Sequence, residues 1–68
     1  MGNKEKFIQD LNEGQLSVVN LLKKYHIPIS VLKETRDYKK VRHALSEEDA
    51  LEYAINRNVS KVKKRIKD

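Results

Sequence analysis

Cysteine is absent, so neither a disulfide nor a thiolate metal site can hold this chain together, and stability must come from helix packing or from association with a partner. Pro28 is the single proline and Gly2 and Gly14 are the two glycines, so the chain has few places to turn and uses them as boundaries. No apolar run approaches the ~20 residues that cross a bilayer, and the opening MGNKEKF lacks the apolar centre of a secretory signal. The expectation is a cytoplasmic protein with no membrane partner. A myristoylation signal is excluded as well, because Lys6 stands where serine or threonine is required.

Chemistry is equally thinly provided for. His26 at a turn and His43 on a charged face are the two histidines, and no nucleophile, base and orienting acid fall together, so the chain reads as a non-enzyme. Glu47, Glu48 and Asp49 lack the alternating oxygen ligands and the glycine of a calcium loop. No glycine-rich stretch precedes a Lys-Ser or Lys-Thr pair, which removes a phosphate loop. No cofactor and no metal are expected.

What is present is charge and helical periodicity. Charged residues make up 37% of 68 positions, and apolar residues recur at helical intervals, which points to an all-α, compact four- or five-helix small domain. A chain of this size buries only about 60% of its unfolded surface, so the core is small and a homodimer or protein partner is a live option. The net charge of +5 is uneven. The final stretch carries Arg57, Lys61, Lys63, Lys64, Arg65 and Lys67 against Asp68 alone, and such a cluster attracts polyanions by counterion release. A solvated tail explains it equally well. Residues 1–58 are expected to form a single helical domain, with 59–68 a basic C-terminal helix or tail.

Asn3 is expected to cap a first helix with Phe7, Ile8 and Leu11 inside, ended by Gly14 in the left-handed position. Ser17 caps a second helix, whose stripe is Val18, Leu21, Leu22 and Tyr25. Pro28 then separates it from a third. That third helix carries Val31, Tyr38, Val41 and Leu45 on one face and a mostly basic ridge of Lys33, Arg36, Lys40 and His43 on the other. A solvated face with Glu34 and Asp37 as local ion-pair partners is the plainer reading of the ridge. A winged-helix alternative places a short hairpin near residues 37–45. Ser46, followed by Glu47, Glu48 and Asp49, opens a further helix with Ala50, Leu51, Ala54 and Ile55 inside; Asn58 either ends it or is passed through.

The stretch LLKKYHIPISVL resembles the core of the helix-turn-helix of small bacterial and phage DNA-binding regulators, over residues 17–36. Leu22, Tyr25, Ile27 and Leu32 stand at its packing positions. His26 stands where that family commonly has glycine, and Thr35 where a larger apolar residue is usual. The resemblance implies a transcription regulator whose helix from Ile29 enters the major groove, so that Ser30, Lys33 and Arg36 face bases or phosphates of double-stranded DNA. Lys40, His43 and the C-terminal Arg57, Lys61, Lys63, Lys64, Arg65 and Lys67 would add phosphate contacts. Glu34 opposes this. The competing reading is a small protein-binding modulator or self-associating helical module, phage- or plasmid-encoded.

Overall fold

The computed structural model describes residues 2–67, which form six α-helices and no strand. The Cα radius of gyration is 11.3 Å, close to the ~11 Å expected of a folded chain of this length. The helices are α1 (Asn3–Glu13), α2 (Val18–Lys24), α3 (Ser30–Lys33), α4 (Arg36–Val41), α5 (Glu47–Arg57) and α6 (Val59–Lys63).

α1 buries Phe7 and ends where Gly14 takes φ 67, with its N–H donating to the carbonyl of Asp10. Its N-cap is Gly2 and not Asn3. The Asn3 side chain is used elsewhere: its Nδ2 donates to the Lys67 carbonyl at 2.9 Å, tying α1 to the other end of the chain. Ser17 caps α2, its hydroxyl accepting from the Asn20 N–H at 3.2 Å. A second tie joins these two helices, because the Asp10 carboxylate accepts from Lys24 Nζ at 2.7 Å and from the Tyr25 hydroxyl at 2.6 Å. Phe7 meets the Tyr25 ring edge-on at 5.5 Å between centroids.

The expected third helix is two helices. Thr35 lies in extended conformation (φ −72, ψ 151), its hydroxyl donating to the Leu32 carbonyl at 2.6 Å and accepting from the Tyr38 N–H at 3.2 Å. That single side chain closes α3 and caps α4, which is the behaviour that makes threonine a helix boundary. The break changes which residues reach the core: Leu32 is fully buried and Val31 only partly, while Leu45, beyond the end of α4, is 40% exposed. The hairpin near residues 37–45 does not form. Arg36–Val41 is helical and 42–45 is a turn, in which Ala44 and Leu45 both donate to the Val41 carbonyl.

α5 is the centre of the fold and packs against α2, α3, α4 and α6. Ser46 caps it by accepting from the Asp49 N–H at 3.2 Å, with three acidic residues in the first turn where the helix dipole is positive. Ala50, Leu51, Ala54 and Ile55 are all completely buried. Alanines on this face let neighbouring backbones approach, and Leu51 and Ile55 fill the space between Phe7, Leu21, Leu22, Leu32 and Val62. Asn58 ends α5 and its Nδ2 donates both to the Ala54 carbonyl at 2.7 Å and to Asp37 at 2.9 Å. α6 then turns back over the core, so that Val62 (0% exposed) and Ile66 (5%) are part of it.

Candidate nucleic-acid interface

The turn between α2 and α3 is built by hydrogen bonds from two consecutive amides. His26 N–H donates to the Lys23 carbonyl at 3.2 Å, and Ile27 N–H donates to the Leu22 carbonyl at 2.9 Å. This is the Schellman arrangement, which needs a left-handed residue at the place His26 occupies and an apolar contact behind it. His26 has φ 58, the one positive φ among described residues other than glycine. Ile27 and Leu22 supply the contact, both buried. Pro28 follows, and its carbonyl accepts from the Val31 N–H as α3 begins.

Ser30, Lys33, Arg36, Lys40 and His43 are all exposed, but they do not form one helical ridge. Ser30 and Lys33 belong to α3, Arg36 and Lys40 to α4, and His43 to the turn after it. Lys33 Nζ lies 2.7 Å from Glu47 Oε1, with both side chains about half exposed (45% and 60%), and the hydrogen bond to that carboxylate holds the Lys33 pKa above its ordinary value. Arg57 is also engaged. Its Nε donates to Asp37 at 3.0 Å and its guanidinium lies over the Tyr53 ring at 5.3 Å. Asp37 is held below the ordinary carboxylate value, chiefly by the Asn58 hydrogen bond, with a smaller contribution from Arg57.

No family model, curated protein or solved structure matches the chain. The surface itself therefore has to carry the reading. Lys61 and Arg65 share a concavity of roughly 300 Å³ with Val31, Glu34 and Thr35, so the C-terminal basic segment is brought to the flank of α3. Arg36 and Lys40 line a second concavity with Lys39 and Asp37. Lys63 and Lys64 fall in a third, beside Lys4 and Ser60. Lys67 lies in a fourth with Arg65, Lys6, Lys24 and His26.

The residues singled out in the sequence are thus distributed over several faces, with Arg65 bridging two concavities. Arg36, Lys40, Lys61, Lys63, Lys64, Arg65 and Lys67 make no salt bridge among the described residues. Lys4, Lys6, Lys24 and Lys39 also line these concavities and are not among the residues that the sequence singles out for phosphate contact. Lys24 had a local signal, since it immediately precedes the Tyr25-His26 turn; Lys6 had none, because it reaches the others only through the packing of α1.

Proposed function

We propose that this chain is a small non-enzymatic regulator that binds double-stranded DNA through the α2–turn–α3 hairpin, with phosphate contacts from α4, α6 and the C-terminal segment. The observation that carries the reading is the turn. His26 stands where the helix-turn-helix family commonly has glycine, and it adopts the left-handed conformation that explains a glycine preference there. Leu22, Ile27 and Leu32, at the packing positions of the resemblance, are buried around it. Lys61 and Arg65 beside α3 supply cations where a duplex backbone would pass.

The shortness of α3 sets the character of the binding. Four residues at 1.5 Å each give a reading surface about 6 Å long, a little less than the rise of ~2 base pairs. Base discrimination by α3 is correspondingly narrow, and most affinity comes from phosphate contacts. Glu34 in the α3 concavity faces Lys61 and Arg65 and offsets part of their charge.

The test is fluorescence anisotropy of a random-sequence duplex at low and near-physiological salt, with the wild type against Arg36→Ala/Lys61→Ala. Both substituted side chains are exposed, whereas truncation would remove Val62 and Ile66 from the core. The wild type binds with a steep salt dependence, and the double variant has a log-log slope shallower by about 1.8, from ~0.9 for each phosphate no longer neutralised. Absence of duplex binding at low salt sinks the reading.

One observation favours the second reading, a protein-binding module. Leu11, Leu16, Val18 and Leu21 line a concavity of roughly 330 Å³ whose rim includes Glu48 and Glu52, and Leu16 is 39% exposed. The apolar face expected of the third helix is less available, since Tyr38 is buried, and so are Val62 and Ile66 along the basic segment.

A further inference from the structure

The concavity between the start of α1, the end of α2 and the C-terminal segment gathers four lysines and arginines among its described lining residues. Lys6 reaches it from α1, Lys24 and His26 from the end of α2 and its turn, and Arg65 and Lys67 from the C-terminal segment. Among the described residues no aspartate or glutamate lines it, unlike the concavities that contain Glu34, Asp37 or Glu48 and Glu52. Its volume is roughly 580 Å³, much more than a single phosphate fills.

Gathering like charges from three separate segments is electrostatically unfavourable in the absence of an anion. Two contacts hold this one together. Asn3 donates to the Lys67 carbonyl at 2.9 Å, fixing the C-terminal segment against α1, and Asp10 fixes Lys24 at 2.7 Å while lying outside the lining. Ile66 is buried, which anchors Arg65 and Lys67 on either side of it. The cations are therefore presented on backbone that is already ordered, and binding an anion does not require the segment to fold first.

The geometry points to this concavity as a binding site for closely spaced phosphate groups, recognised through Lys6, Lys24, His26, Arg65 and Lys67. Two sources offer that chemistry: the sugar-phosphate backbone of nucleic acid beyond the stretch under α3, and a free inorganic oligophosphate. The first source rests on the DNA-binding reading above, and the site itself does not. Lysine and arginine donors on a concave wall suit phosphate oxygens without base discrimination, so occupancy by a duplex strengthens binding uniformly across sequences.

The experiment uses the full chain and its Lys6→Ala/Lys67→Ala variant, with circular dichroism and thermal melts to establish that both are folded. One arm measures anisotropy of a random duplex over a range of salt; the other titrates sodium tripolyphosphate and follows backbone amide resonances. The expected duplex result is a log-log salt slope shallower by about 1.8 in the variant, with affinity lower by tenfold or more at low salt. The expected tripolyphosphate result is movement of the amides of Lys6, Lys24, His26, Arg65 and Lys67 in the wild type, abolished in the variant. If the duplex does not bind the wild type but tripolyphosphate moves those amides, the DNA reading falls and the site stands as an oligophosphate site. If the variant keeps the wild-type duplex slope and tripolyphosphate leaves these amides unmoved, the site is overturned while duplex binding elsewhere survives. If the wild type responds to neither probe, both fall.

Discussion

Replacing His26 by glycine is expected to stabilise the protein. His26 holds φ 58 to close the Schellman turn, and a left-handed conformation costs an L-residue about 1–2 kcal/mol. Glycine removes that cost but adds unfolded-state freedom worth about 0.5–1 kcal/mol, leaving a net gain of about 0.5–1 kcal/mol. The ring is exposed and contributes no core packing that glycine would forfeit. In a domain this small each kcal/mol moves Tm by about 4–8 °C, so His26→Gly should melt about 2–8 °C higher by calorimetry or circular dichroism. Gly14 provides the mirror experiment. It has φ 67, and a Cβ there would meet nothing within 4 Å, so Gly14→Ala isolates the backbone cost and should lower Tm by a similar amount. If His26→Gly lowers Tm, or if both substitutions move it in the same direction, the assignment of strain to this turn is wrong.

Thr35→Ala removes a cap and leaves the buried Tyr38 N–H without its partner; it should cost about 1–2 kcal/mol, read as a lower urea midpoint at unchanged m-value, whereas Thr35→Ser should recover most of the loss. Leu51→Ala, at a site with no exposure, should cost about 2–5 kcal/mol out of a total of about 3–10 for 68 residues, leaving a chain that is largely unfolded or melts far below the wild type by circular dichroism. Asp10 and Asp37 both have folded-state pKa values below the ordinary 3.8, Asp10 chiefly through Lys24 and Asp37 chiefly through Asn58; the unfolded chain takes up their protons first, so stability present above about pH 4 is lost as pH falls below it. Melts at descending pH check this, and a Tm that is flat down to the acid limit contradicts it. On the alkaline side burial, helped by Asp10, pushes Tyr25 from 10.0 up to about 12; its contribution is complete below pH 10 and lost as pH rises from 10 to about 12, and Tyr25→Phe should abolish that component and the late-titrating tyrosinate absorbance.

The elements that could be read from sequence are those specified by neighbouring residues. Ser17, Gly14 and Ser46 act at helix ends through bonds that span three or four positions, so their chemistry is visible locally. The inner face of α5 was legible for the same reason: Ala50, Leu51, Ala54 and Ile55 repeat at helical spacing with no interruption. The break at Thr35 was not, because Val31, Tyr38, Val41 and Leu45 also fit one continuous helix, and nothing in that spacing shows that the threonine hydroxyl engages both sides. The basic surface was legible in composition only. Lys33 meets Glu47 and Arg57 meets Asp37 across the fold, and Lys6 joins Arg65 and Lys67 only because α1 lies against the last turn.

The 2.9 Å bond from Asn3 to the Lys67 carbonyl spans 64 positions, so one short bridge between these two places would close the intervening residues into a ring. A covalent closure at that point would confine the unfolded chain to a loop of ~64 residues, which in the chain-entropy picture is worth about 4 kcal/mol, as much as the lower range of the domain's whole stability. The same adjacency permits the ring to be opened elsewhere. The exposed turn at 42–45, between α4 and α5, lies outside every helix, so a permuted chain beginning at Ser46 and ending near Leu45 would retain all six helices with their caps.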